Sequence, residues 1–86
     1  MSVVMAKILH VTNAKHLTGY RIDVSFNDGR HGTVDLEPWL QGPIFEPLRD
    51  PEQFISFRLE GHTLAWPNGA DFAPEFLHAI AASPHG

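Results

Sequence analysis

Hydrophobic and polar positions alternate most strictly between Tyr20 and Phe26, where Tyr20, Ile22, Val24 and Phe26 are separated by Arg21, Asp23 and Ser25. Side chains of a strand point to opposite faces in turn, so this period of two predicts a strand with one core face and one solvent face. Asn27-Asp28-Gly29-Arg30 follows, and its Asp-Gly pair predicts a tight hairpin because glycine takes positive φ without steric cost. The returning strand, His31–Leu36, sets Gly32, Val34 and Leu36 inward and His31, Thr33 and Asp35 outward. Upstream, the branched residues of Lys7–Asn13 predict a first strand, with Ala14–Gly19 as a loop.

Four prolines between residues 37 and 51 rule out a long helix or a central strand there. The pattern allows a helical turn at Pro38–Gln41. It then predicts a brief helix over Pro51–Ser56, capped by Asp50 with Gln53 as its capping-box partner and burying Phe54 and Ile55. A second hairpin follows, with Phe57 and Leu59 on one arm, Leu64 and Trp66 on the other, and Gly61-His62 as a two-residue turn. Trp66-Pro67-Asn68-Gly69 ends that arm, with Gly69 at positive φ. The last element is a helix from Phe72 or Ala73 to Ala82, capped by Asp71, whose Phe72, Phe76, Leu77 and Ile80 form an apolar stripe. Trp66 is expected to pack against Phe76 or Ile80, and Ser83–Gly86 to form a tail. The expected architecture is α+β: a small antiparallel sheet, made of a three-stranded meander plus a C-terminal hairpin, with a short helix and a C-terminal helix packed on it.

Composition narrows the picture. The chain has 86 residues, of which 24 are Leu, Ile, Val or Phe, enough for one globular domain spanning 1–86, ordered over about 6–82. No cysteine is present, which excludes disulfides, thiolate nucleophiles and cysteine zinc sites. The N-terminal apolar run is too short for a signal peptide, and no stretch has the length of a membrane span. A cytoplasmic protein is the expectation. The formal charge of −4 is unevenly placed: residues 1–35 sum to +1 and residues 36–86 to −5. That acidic half argues against direct nucleic-acid binding and favours basic partners.

Candidate chemistry is sparse. None of the six histidines has a histidine partner at a ligand spacing on one helix or strand. Glu75 and His78, three apart on the last helix, together with Asp71, form the one constellation that suits a metal-dependent enzyme or a small-ligand sensor. Asp71 and Glu75 also stand where carboxylates stabilise a helix start. The serines and threonines sit in no nucleophile motif. No catalytic residue, metal site or cofactor is therefore assigned, and the chain is expected not to be an enzyme.

Two stretches, Asp35–Phe45 and Thr63–Phe72, each set a tryptophan beside prolines and glycines, a composition suited to rigid aromatic surfaces that hold partners. Trp39, Trp66, Pro67, Asn68 and Asp71 are the candidate partner-binding residues. The competing reading is that Trp39 and Trp66 simply fill a small core. A non-catalytic protein-binding or regulatory module is the leading functional expectation, with a homodimer favoured over a monomer because small domains often supplement their cores by pairing.

Phe26-Asn27-Asp28-Gly29, Gly32-Thr33-Val34-Asp35-Leu36, the Gly42-Pro43 and Pro47-Leu48 loop, and Trp66-Pro67-Asn68-Gly69-Ala70-Asp71-Phe72-Ala73-Pro74-Glu75-Phe76-Leu77 together resemble domain of unknown function family 2442, small bacterial proteins. The likeness runs from about Lys7 to Ile80. It implies a compact α+β domain on antiparallel strands and no established activity. Some members resemble the N-terminal half of longer chains that end in a helix-turn-helix domain; with no such half expected here, direct DNA binding is not expected. Others are encoded beside a second small protein in an arrangement like a toxin–antitoxin pair. The resemblance thus implies an antitoxin-like role towards a small basic protein encoded nearby.

Overall fold

The computed structural model describes residues 8–81. Lys7 at the start of the expected first strand, Ala82 at the expected end of the last helix, and the Ser83–Gly86 tail lie outside the described residues. The described residues form two three-stranded antiparallel sheets and a few short helical elements. β1 (Val11–His16), β2 (Arg21–Phe26) and β3 (His31–Asp35) form the first, in chain order. β4 (Arg58–Glu60), β5 (Thr63–Ala65) and β6 (Asp71–Phe72) form the second. Between them run two 3-10 turns, Glu37–Trp39 and Glu46–Arg49, and the short helix α1 (Pro51–Phe54); α2 (Pro74–Ala81) follows β6. The fold is α+β.

The meander follows the alternation in the sequence. Ile22, Val24, Phe26, Val34 and Leu36 are buried, while Arg21, His31, Thr33 and Asp35 are exposed. β1 differs from its expected span, beginning at Val11 rather than Lys7 and running on to His16. Ile8 and His10 are held by another route. Asn27 donates its side-chain amide to the Ile8 carbonyl (2.7 Å) and accepts the His10 N–H (2.9 Å), so the strand ladder begins at Val11 opposite Phe26. At the other end, His16 pairs with Ile22, and a short turn over Leu17–Tyr20 replaces the longer loop.

One turn design occurs twice. Gly29 donates its N–H to Phe26 and has φ 89°, and the Asp28 carboxylate accepts the Arg30 N–H at 2.9 Å. Gly69 donates to Trp66 and has φ 95°, and the Asn68 side-chain oxygen accepts the Ala70 N–H at 3.0 Å. Both are three-residue hairpin loops in which a glycine takes the left-handed position and an Asp or Asn before it braces the turn. The second loop therefore closes a β5–β6 hairpin. Asp71 lies in β6 opposite Ala65, so its expected place as the cap of the last helix is corrected. α2 begins at Pro74, and Ala73 supplies the first carbonyl, bonded by the Leu77 N–H.

The middle of the chain also departs from expectation in detail. The helical turn covers Glu37–Trp39, one residue ahead of the predicted Pro38–Gln41. Asp50 caps α1, accepting the Glu52 N–H at 3.1 Å, but the helix stops at Phe54. Phe54 is fully buried, whereas Ile55 is 52% exposed and not part of the core. The Gly61-His62 turn joins β4 to β5 as expected, both residues having φ above 60°. Its arms do not alternate: Thr63 to Trp66 are all buried and Arg58 to Glu60 all exposed. β5 is the central strand of its sheet, covered on both faces, and β4 is an outer strand.

A single apolar cluster joins both sheets to Leu40, Leu48, Phe54 and Leu77. The sheets also meet at a defined point. The Val11 N–H donates to the His62 carbonyl at 2.9 Å, and the His10 and His62 rings stack with centroids 4.0 Å apart. α2 lies on the meander, where a Cβ on Gly32 would stand 3.0 Å from the Ala81 carbonyl oxygen, so glycine there allows close approach of helix and strand.

Candidate functional site: an exposed aromatic face

The two tryptophan-bearing stretches are brought together. The Asn68 side-chain amide donates to the Ile44 carbonyl at 2.9 Å, and the Phe45 and Phe72 rings stack at 4.7 Å. Both stretches thus contribute to one region, but their tryptophans take different places in it.

Trp66 is 1% exposed. Its indole N–H donates to the Phe54 carbonyl at 2.8 Å, and its ring neighbours are Phe54, Phe57 and Phe72. A side chain enclosed on this scale has no surface to offer a partner, so the core reading of Trp66 holds and its candidacy as a binding residue is corrected. Of its expected packing against Phe76 or Ile80, Phe76 is not among its ring partners. Phe72, which the sequence placed at the helix start, sits on β6 and comes between: it meets Trp66 at 5.8 Å and stacks on Phe76 at 5.5 Å.

Trp39 is 44% exposed. Its ring stands perpendicular to Phe76 at 5.0 Å. With Phe76 on Phe72 and Phe72 on Phe45, a row of four rings runs Trp39–Phe76–Phe72–Phe45, from a half-open tryptophan to a buried centre and back to a partly buried phenylalanine. Ile44, also 44% exposed, precedes Phe45. Phe76 and Ile44 were not candidates from sequence: Phe76 reads as part of the apolar stripe of the last helix, and Ile44 lies within the Asp35–Phe45 stretch without being singled out. Pro67, Asn68 and Asp71 are exposed. Both ends of the Asn68 amide are engaged within the fold, on Ile44 and Ala70, so Asn68 fastens the two stretches together.

Four exposed carboxylates lie one or two residues from these rings along the chain: Glu37 before Trp39, Glu46 after Phe45, Asp71 before Phe72 and Glu75 before Phe76. None of them belongs to an ion pair among the described residues. Residues 36–81 contain two fixed cations, and one of these, Arg58, pairs with Glu60 at 3.5 Å.

The constellation of Asp71, Glu75 and His78 is not assembled. His78 turns instead to the first hairpin, its Nε2 2.9 Å from the Asp28 carboxylate and its ring against the edge of Phe26. The Arg30 backbone N–H, and then the His78 side chain, hold the Asp28 carboxyl below its ordinary value of 3.8. Among the described residues no group of three His, Asp or Glu side chains could hold a metal ion, and no helix is long and apolar enough to cross a membrane.

Fold and site together define a small α+β domain of two three-stranded antiparallel sheets with a half-exposed tryptophan at the end of a row of packed rings. The chain belongs to the family described as "Protein of unknown function (DUF2442)", whose match covers residues 11–83, nearly its whole length. No curated protein and no solved structure matches it.

Proposed function

We propose that this domain is a non-catalytic protein-binding module, regulatory or antitoxin-like, that engages its partner through the face bearing Trp39. The observation that carries this reading is the half-open Trp39 ring at the outer end of a packed aromatic row. A tryptophan whose loss from solvent is incomplete forgoes part of its burial energy, and partly open aromatic anchors on rigid supports are the residues that dominate protein interfaces. The support here is firm: Phe76 belongs to α2, and the 3-10 turn before it is fixed by the Trp39 N–H donating to the Leu36 carbonyl at 2.9 Å.

Affinity capture from the native host, at native expression level, tests the reading. The expected result is one protein that copurifies stoichiometrically with the parent chain and is lost with Trp39→Ala, the variant remaining folded. Recovery of the parent chain alone, or of the same protein with Trp39→Ala, contradicts it.

A further inference from the structure

We infer that two copies of this chain pair through β3, edge to edge and antiparallel, about a two-fold axis at Thr33. The pairing goes beyond the binding reading above and does not depend on it. β3 is an outer strand of the meander. The Phe26 N–H donates to the Arg30 carbonyl and the Leu36 N–H to the Tyr20 carbonyl, so the hydrogen-bonded pairs between them are Val24 with Gly32 and Ile22 with Val34. The main-chain N–H and C=O groups of His31, Thr33 and Asp35 therefore point away from β2. None of these groups has a hydrogen-bond partner among the described residues, and α2 reaches β3 at Gly32, over the core face. An open edge of this kind is a template for another strand unless proline, lysine or a bulge blunts it. β3, His31-Gly32-Thr33-Val34-Asp35, has none of the three. The other strand edges offer less: β4 and β6 have three and two residues, and the start of β1 already donates to His62 of the second sheet.

A second copy fits this edge in one register. With Thr33 opposite its own counterpart, His31 faces the second copy's Asp35 and Asp35 faces its His31, and each of these pairs exchanges N–H···O bonds in both directions. Val34 then faces Gly32 across the axis, large against small. On the solvent face the row Ser25–His31 runs on into Asp35–Arg21 of the second copy, and Asp23–Thr33 into Thr33–Asp23. Opposite charges or hydroxyls thus meet at the junction and like charges do not. Sliding the strands by two residues either way sets their ends against the Gly29 loop or the turn at Glu37, and loses bonds. This self-complementarity is what selects a second copy over an unrelated strand.

Sedimentation of the full chain at about 0.1 mM, where a micromolar association is nearly complete, is expected to show a dimer. Thr33→Pro removes an N–H that bonds nothing within the chain, at a position where an edge strand tolerates proline. It should give a folded chain whose self-association is at least about tenfold weaker. Because the chain has no cysteine, Thr33→Cys reports the register directly. Its two Cα atoms would stand about 5.5 Å apart, within disulfide reach, so mild oxidation should cross-link the dimer. In His31→Cys the corresponding atoms lie about 13 Å apart along the strands, and no cross-link is expected. Trp39→Ala should leave the dimer intact. A monomeric parent chain, an undiminished dimer in folded Thr33→Pro, equal cross-linking of the two cysteine variants, or a dimer lost with Trp39→Ala overturns the inference. Should Thr33→Pro fail to fold, the two cysteine variants decide it. A different protein that copurifies with a monomeric parent chain and is lost with Thr33→Pro also overturns it, by giving the edge to a foreign strand.

Discussion

Two tryptophans of similar sequence setting differ in burial, Trp66 enclosed and Trp39 half open, and the roles proposed for them differ accordingly. Trp66 is enclosed by Phe54, Phe57 and Phe72, with its N–H spent on a buried carbonyl. Trp66→Ala should cost roughly 3–5 kcal/mol from the lost aromatic and the cavity left behind. A domain of this size has about 5–10 kcal/mol in total, so chemical denaturation should find the variant barely folded. Trp66→Phe keeps most of the volume but leaves the Phe54 carbonyl unpaired, and should cost about 1–3 kcal/mol. A smaller effect concerns acid. Because Asp28 titrates below its ordinary value of 3.8 in the folded state, it contributes stability present above that pH and lost as pH falls through the folded value. Asp28→Asn, which can still brace the turn, should flatten the decline in stability below about pH 4; an unchanged acid limb would show that Asp28 carries none of it.

At the scale of elements, the features set by local rules were legible in the sequence. The β2 alternation, the Gly61-His62 turn, the Asp50 cap and the positive φ of Gly69 each follow from chemistry within a few residues. What escaped depended on distant partners. Asp71–Phe72 reads as a helix start because Pro74 and Glu75 follow, yet β5 captures it as a strand once the Asn68-Gly69 turn has reversed the chain. The start of β1 is set by Asn27, nearly twenty residues away in sequence. Likewise, that Trp39 stays half open and Trp66 closes could not be decided from two similar Trp/Pro/Gly stretches, because the difference lies in distant rings: Phe54, Phe57 and Phe72 pair with Trp66, and among the described residues one ring, Phe76, pairs with Trp39. The contact of α2 with β3 gives a prediction at this scale. Gly32→Ala would place a methyl 3.0 Å from the Ala81 carbonyl and should cost roughly 1–2 kcal/mol as the helix end shifts. An unchanged denaturation midpoint would mean that the end of α2 does not bear on β3.

For the whole molecule, one apolar cluster holds two small sheets together, and an aromatic row carries that cluster out to the surface at Trp39. The proposed binding is assigned to Trp39 at one end of that row and stability to Trp66, which packs on its Phe72, and this division can be measured. Trp39→Ala removes a ring that solvent already reaches, and should cost only about 1–2 kcal/mol of stability. The direct measurement is calorimetric titration of the captured partner into parent and Trp39→Ala chains, with the unfolding midpoints of both recorded beside that of Trp66→Ala. The predicted result is at least a tenfold loss of affinity for Trp39→Ala, about 1.4 kcal/mol, with a midpoint far closer to the parent than to Trp66→Ala. Unchanged affinity would remove Trp39 from the binding face, and a midpoint as low as that of Trp66→Ala would place it in the core; either result contradicts the account.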